Sequence, residues 1–273
     1  MTALPATGGT LDVPGAQLYY ELRGEGPLLV LVGSPMDAGP FAPLADLLAA
    51  DYTVLTTDPR GVGRSPIEDP DQVATPELRA ADLSRLITEV DAGPAGLLGS
   101  SGGAVTALAL AQSYPGQAHT VIAHEPPLYE VLEDRKELIA RSEDMVATYR
   151  GGDSIGAFRI FMEIAGMAMP EEMFQQMFAE RGEKEAEEDR RFFLYTQGPT
   201  TQWVPDLDAL RAGSTRLVIG IGEQSAGQLC DRTSRALAAS LGIEPALFPG
   251  DHGGFMGDPA AFADRLRAVL AGR

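Results

Sequence analysis

The chain has 273 residues, 44% of them hydrophobic and 22% charged, and its 39 acidic residues against 21 Lys and Arg leave a formal net charge of −18. That length supplies a real core for one large α/β domain, and the ordinary hydrophobic fraction excludes a disordered chain. A surface this acidic repels phosphate backbones and anionic lipid heads, so no nucleic acid and no membrane partner is expected, and a small-molecule substrate is.

Two strands open the chain, Thr10–Val13 and Gln17–Leu22, on either side of the turn pair Pro14-Gly15. Gly24 and Gly26 interrupt it before Leu28–Val32, an uninterrupted apolar run of the kind buried on both faces of a parallel sheet. Phe41–Ala49 has helical spacing, and Tyr52–Thr57 is a strand ending at Asp58-Pro59. Pro76–Val90 is an amphipathic helix, with Thr75 as N-cap and proline in its first turn. Ala95–Leu98 is the next strand, Ala104–Ser113 the next helix, and Thr120–Ala123 a strand that stops at His124-Glu125-Pro126-Pro127. From Leu128 to Thr201 only helical periodicity is found, rich in charge and methionine. Alternation then resumes with Arg216–Ile221 as strand, Ala226–Leu241 as helix, Ala246–Phe248 as strand and Pro259–Ala271 as the closing helix. Strands alternating with helices predict a mostly parallel sheet covered on both faces. The boundaries that follow are an α/β core over residues 1–126 and 205–273, with a helical cap inserted at 127–204.

The single cysteine, Cys230, excludes an intramolecular disulfide and a Cys-rich metal site. Met1–Gly15 carries no basic residue and is broken by Pro5, Gly8, Gly9 and Pro14, unlike a secretory leader. No apolar run approaches membrane-spanning length, so a soluble cytoplasmic protein is expected. The oligomeric state is left open.

Gly99-Ser100-Ser101-Gly102-Gly103 matches G-x-S-x-G between a buried strand and a helix. A serine on so sharp a turn needs small neighbours, and Gly99 and Gly103 flank Ser101 symmetrically, which favours Ser101 over Ser100 as nucleophile. The helix that starts there offers free N–H groups and the positive end of its dipole. A hydroxyl needs a base, and the chain has three histidines, His119, His124 and His252. His119 opens a strand far from the turn and reads as structural. His124 ends a strand at the active edge, where it could line a pocket. His252 lies in the glycine-rich loop Pro249–Phe255 before the last helix.

With its opening hairpin, Val32-Gly33-Ser34-Pro35, Asp58-Pro59-Arg60-Gly61-Val62-Gly63-Arg64-Ser65, the serine turn and a late histidine in this order, nearly the whole chain resembles the α/β-hydrolase family. The resemblance implies an α/β-hydrolase fold: a mostly parallel eight-stranded sheet with helices on both faces and a cap after the sixth strand. It implies His252 as the base. It also implies an acid in a G-D-x-D-like turn after the seventh strand, where this chain reads Gly222-Glu223-Gln224-Ser225 and serine takes the usual position. Glu125, at the end of the sixth strand, is the substitute favoured; Glu223, Asp251 or no acid at all are the alternatives. The oxyanion hole implied is the backbone N–H of Gly102 and that of Ser34, whose loop lacks the family's usual histidine. Relatives that act on halides or epoxides carry aspartate where this chain has Ser101.

Gly61-Val62-Gly63 and Gly220-Ile221-Gly222 lack the third glycine and the following acid of a dinucleotide turn. No phosphate loop and no metal-ligand spacing occur, so neither cofactor nor metal is expected. In the cap segment Met145, Met162, Met167, Met169, Met173 and Met177 are interleaved with Phe158, Phe161, Phe174 and Phe178. Most of these pack the cap on the core, and a few line an adaptable apolar pocket. Glu183–Arg191 reads as a solvated helix face, and Trp203 as a hinge anchor or a pocket wall. The function expected is a serine hydrolase acting through an acyl-enzyme on a medium-sized, mainly apolar ester, lactone or thioester. The alternatives are a lyase, cyclase or perhydrolase using the same pocket, or a catalytically silent ligand-binding protein.

Overall fold

Pro14 and Gly15 reverse the chain, Gly15 at φ 75°, and pair β1 (Thr7–Val13) antiparallel with β2 (Ala16–Arg23). The computed structural model describes residues 6–179 and 181–272. Six further strands follow: β3 (Leu28–Val32), β4 (Thr53–Thr57), β5 (Ala95–Ser100), β6 (Ala118–His124), β7 (Arg216–Gly222) and β8 (Ala246–Phe248). They form one eight-stranded sheet in the order β1-β2-β4-β3-β5-β6-β7-β8, antiparallel at β1–β2 and β2–β4 and parallel elsewhere.

The connections are α1 (Ala42–Leu48), α2 (Pro76–Val90) and α3 (Gly102–Ser113). Between β6 and β7 lie α4 (Arg135–Arg150), α5 (Ser154–Ala165), α6 (Glu171–Phe178), α7 (Glu183–Arg191), a π-turn at Phe192–Thr196 and α8 (Gln197–Thr201). Then come α9 (Leu207–Ala212), α10 (Leu229–Leu241), α11 (Gly254–Gly257) and α12 (Pro259–Leu270). Among the described residues no helix is long and apolar enough to cross a membrane.

The central strands are apolar on both faces, and their alternation divides the core in two. Leu28, Val30 and Val32 of β3 pack with Leu83 and Leu86 of α2 and Leu108 of α3, whereas Leu29 and Leu31 pack with Leu44 of α1 and Phe262 and Leu266 of α12. Fully burying each such side chain is worth about 1.5–3 kcal/mol. Thr75 caps α2 by accepting the N–H of Leu78 at 3.2 Å. The helix predicted from Ala226 starts at Leu229 because Gly227, at φ 81°, first makes a turn whose N–H is held by Asp231.

The α4–α8 segment has a core of its own, built on Met145, Phe158, Met162, Phe174 and Phe193. Trp203 is an anchor and not a pocket wall: it is buried in the main core and its indole N–H donates to Glu77 on α2 at 2.7 Å. The expectation of a solvated face at Glu183–Arg191 holds only for the first turns of α7. Asp189 and Arg191 are buried, Asp189 paired with Arg181 and Arg191 donating to the carbonyls of Pro70 and Gln72. Those two bonds fasten the segment to the loop before α2.

Candidate active site

Ser101 occupies the single residue between β5 and α3, at φ 57° and ψ −124°. Its neighbours explain why the turn tolerates little else. A Cβ at Gly99 would lie 2.3 Å from the Gly103 carbonyl oxygen, and one at Gly103 only 2.2 Å from that of Val32. The two flanking glycines therefore let the helix start touch both its own strand and the end of β3. The Ser101 N–H is held by the His124 carbonyl at 2.9 Å, which fixes the bend. Positive φ costs a non-glycine residue about 1–2 kcal/mol; among the described residues only Asp91, Ser101 and Glu125 show it.

Glu125 follows β6 at φ 54° and is fully buried. One carboxylate oxygen accepts the N–H of Gly222 at 2.8 Å, and the other meets Nδ1 of His252 at 2.6 Å. Burial pushes the Glu125 carboxyl up, but the bond from His252, the nearby imidazoles and Ser225 outweigh it and hold the group at about 2. The His252 ring is pulled down by burial, yet the adjoining Cys230 sulfur and the Glu125 carboxylate prevail and raise it above the ordinary histidine value. The Cys230 sulfur, a Glu125 oxygen and a His252 ring nitrogen all lie within 4.8 Å of one another.

The alternative acids stand elsewhere. Glu223 is exposed and tied to β8 only through its backbone N–H, which donates to the Phe248 carbonyl. Exposed Asp251 accepts the N–H of Gly253 and so stabilises its own turn. Ser225, in the usual acid position, is fully buried.

Ser34 sits beside Gly102, where a Cβ would meet the Ser34 carbonyl oxygen at 2.7 Å. Among the described residues, neither the Ser34 N–H nor the Gly102 N–H is engaged in a hydrogen bond. The bracing that the missing histidine left unexplained comes from two buried residues. Asp58 accepts the N–H of Ala38 at 2.9 Å while gripping Arg64, and Arg79 donates to the Ser34 hydroxyl at 2.5 Å. Burial raises the Asp58 carboxyl, but the bonds from Arg64 and the two backbone N–H groups overcome this and keep it below the usual range.

Ser34, Ser101, Gly102 and His252 border one cavity. Its other walls are largely apolar, with Phe161, Ile164, Met167 and Phe192 from the α5–α8 segment. Tyr129 and Gln197 make a polar patch, the Gln197 amide donating to the Tyr129 hydroxyl at 3.1 Å. Of the six methionines of the segment only Met167 borders the cavity; Met145 and Met162 are packed inside, and Met173 and Met177 face solvent.

His119 is exposed at the start of β6, with its ring on Thr120. His124 does not line the cavity. It is completely buried, its ring edge-on to Phe248 and Phe262 at 5.6 and 5.5 Å, with Ser100 Oγ 3.5 Å from its Nδ1. Burial lowers its titration from 6.5 to about 4. The unfolded chain therefore binds more protons between those values, and stability is lost as pH falls from about 6.5 to about 4, by about 3 kcal/mol in all. His124→Met is expected to shrink the loss of urea midpoint between pH 7.5 and 4.5; an unchanged loss would show that other groups carry it.

Over residues 28–265 the sequence matches the model of a family described as the alpha/beta hydrolase family. It is similar to the uncharacterized hydrolase YraK of Bacillus subtilis (strain 168), 31% identical over 269 residues that cover 96% of this chain and 95% of that protein. It is also similar to zearalenone hydrolase of Bionectria ochroleuca, 25% identical over 275 residues, 94% of this chain and 95% of that protein. Among solved structures, an alpha/beta hydrolase from Sphaerobacter thermophilus DSM 20745 shares the fold with a TM-score of 0.68 at 23% identity, over 97% of this chain and 99% of that one.

Proposed function

The chain belongs to the α/β hydrolase family and is a hydrolase of that superfamily, and from this premise we propose that it is a serine hydrolase with Ser101 as nucleophile, His252 as base and Glu125 as orienting acid. The observation that carries the reading is the 2.6 Å contact between His252 Nδ1 and Glu125, on the wall of the cavity that also holds Ser101. With Nδ1 bonded to the carboxylate, Nε2 is the free base.

Ser101 Oγ attacks the substrate carbonyl carbon as its proton passes to His252. The carbonyl oxygen becomes an oxyanion facing the open N–H groups of Gly102 and Ser34, each worth about 3 kcal/mol to the transition state. His252 returns the proton to the departing alcohol or thiol, leaving an acyl-Ser101 ester. Water, deprotonated by the same imidazole, then releases the acid and restores the hydroxyl. Glu125 stabilises the imidazolium in both halves.

The cavity's largely apolar walls favour a medium-sized, mainly apolar ester, lactone or thioester, and a small-molecule substrate rather than a macromolecular one. Residues 127–204 are proposed as the cap that encloses it. A fluorophosphonate is the direct test: one adduct per chain on Ser101, with no adduct in Ser101→Ala, is the expected result. A folded protein that hydrolyses p-nitrophenyl acyl esters without ever labelling would overturn the acyl-enzyme.

A further inference from the structure

We propose that the Ser34 hydroxyl is a third oxyanion donor beside the two backbone N–H groups, and that Arg79 is the positioning residue that aims and polarises it. The proposal rests on the serine-hydrolase reading above.

Arg79 projects from α2 and is buried, yet among the described residues no carboxylate lies within hydrogen-bond distance of its guanidinium. Its Nη1 donates to Ser34 Oγ at 2.5 Å and its Nη2 to Thr200 Oγ1 at 2.8 Å, while Nε has no partner. Glu77, the nearby acid that stabilises its charge, is engaged by the Trp203 indole. Arg60 shows the usual arrangement: equally buried, it is bound through Nε and Nη2 to both oxygens of Asp82 at 2.5 and 2.6 Å. A buried cation with no directly bonded carboxylate is costly to keep, and replacing buried ionic groups by apolar ones is commonly neutral or stabilising.

Proton bookkeeping shows where its influence is directed. A guanidinium only donates, so both hydroxyls accept from it. Thr200 gives its own proton to the Thr196 carbonyl at 2.6 Å. The Ser34 proton has no acceptor among the described residues. Ser34 is packed against the residue after the nucleophile, its Oγ 3.3 Å from where a Gly102 Cβ would stand, and it borders the cavity with Ser101 and His252. An acceptor for that proton arises when the carbonyl oxygen gains charge. A full positive charge one hydroxyl behind the donor favours the charged transition state over the neutral ground state. No bond to Ser34 or Arg79 forms or breaks.

Ser34→Ala keeps the backbone N–H and removes only the hydroxyl. With p-nitrophenyl acyl esters, kcat is expected to fall about 100-fold with KM within about twofold of the parent. Arg79→Met is expected to lower kcat comparably, Arg79→Lys to retain more, and Arg79→Met to add little in the Ser34→Ala background. Should the Arg79 variants fail to fold, Ser34→Ala alone decides. Full kcat in Ser34→Ala, with Ser101→Ala inactive, would overturn the proposal and leave the hydrolase reading standing. A rise in KM alone would also overturn it, making the Ser34 hydroxyl a ground-state binding contact. Turnover surviving in Ser101→Ala would remove the reading itself.

Discussion

Ser101→Ala is expected to lower kcat by about five to six orders of magnitude while leaving the fold and its stability within about 0.5 kcal/mol of the parent. The first part follows from the proposed chemistry, in which the Ser101 hydroxyl forms the acyl-enzyme. Ser100 precedes it by one residue, but it is buried and its Oγ faces His124 rather than His252. The second part follows from the backbone. Alanine at φ 57° carries the same strain as serine, so nothing is relieved. Ser101→Gly, equally inactive, is expected to be more stable than Ser101→Ala by about 1 kcal/mol, because glycine adopts that conformation freely. Urea unfolding and ester turnover measured on both variants separate the chemical from the conformational role. A Ser101→Ala protein within tenfold of parental kcat would end the nucleophile assignment.

Glu125→Gln is expected to cost about four orders of magnitude in kcat, whereas Glu223→Gln and Asp251→Asn stay within about twofold. Glutamine is nearly isosteric, so the loss reports the missing charge and the imidazole tautomer rather than a cavity. The pH profile gives an independent reading. His252 must be neutral to accept a proton, so activity is lost as pH falls through its titration. That titration is raised by Cys230 and Glu125, so the acid limb of kcat/KM is expected above the ordinary histidine value of 6.5. Removing the Glu125 charge moves the limb to lower pH. An acid limb that stays in place in Glu125→Gln would show that this carboxylate does not set the imidazole.

The sheet was legible because β3, β5 and β6 are apolar runs with glycine or proline near their ends, and no helix or loop reading competes. The serine turn was legible for the same steric reason that its glycines now show at 2.2–2.3 Å. Glu125 could be favoured but not chosen from sequence. Its contact with His252 depends on a positive φ and on the Gly222 N–H across two strands, and neither leaves a residue pattern. Arg79 gave no signal, since an arginine on an amphipathic helix reads as its wet face, and its burial is decided by contacts with Ser34 and Thr200, distant in sequence. Cys230 read only as an unpaired thiol; its place beside His252 comes from the start of α10, three residues later than the periodicity suggests. His124 was misplaced because a strand's last side chain can point to either face of the sheet, and Phe248 and Phe262 claim it for the core.

Glu125 is followed at once by Pro126 and Pro127, and the Pro126 carbonyl is clasped by Thr233 of α10 at 2.7 Å. In a chain with its acid after the seventh strand, everything between the sixth and seventh strands could be exchanged as a cassette. Here such a graft has to begin downstream of the proline pair and retain the threonine. Recombination of the α4–α8 segment is thus confined to narrower splice points, and a library cut at the strand's end would discard the carboxylate proposed to orient His252.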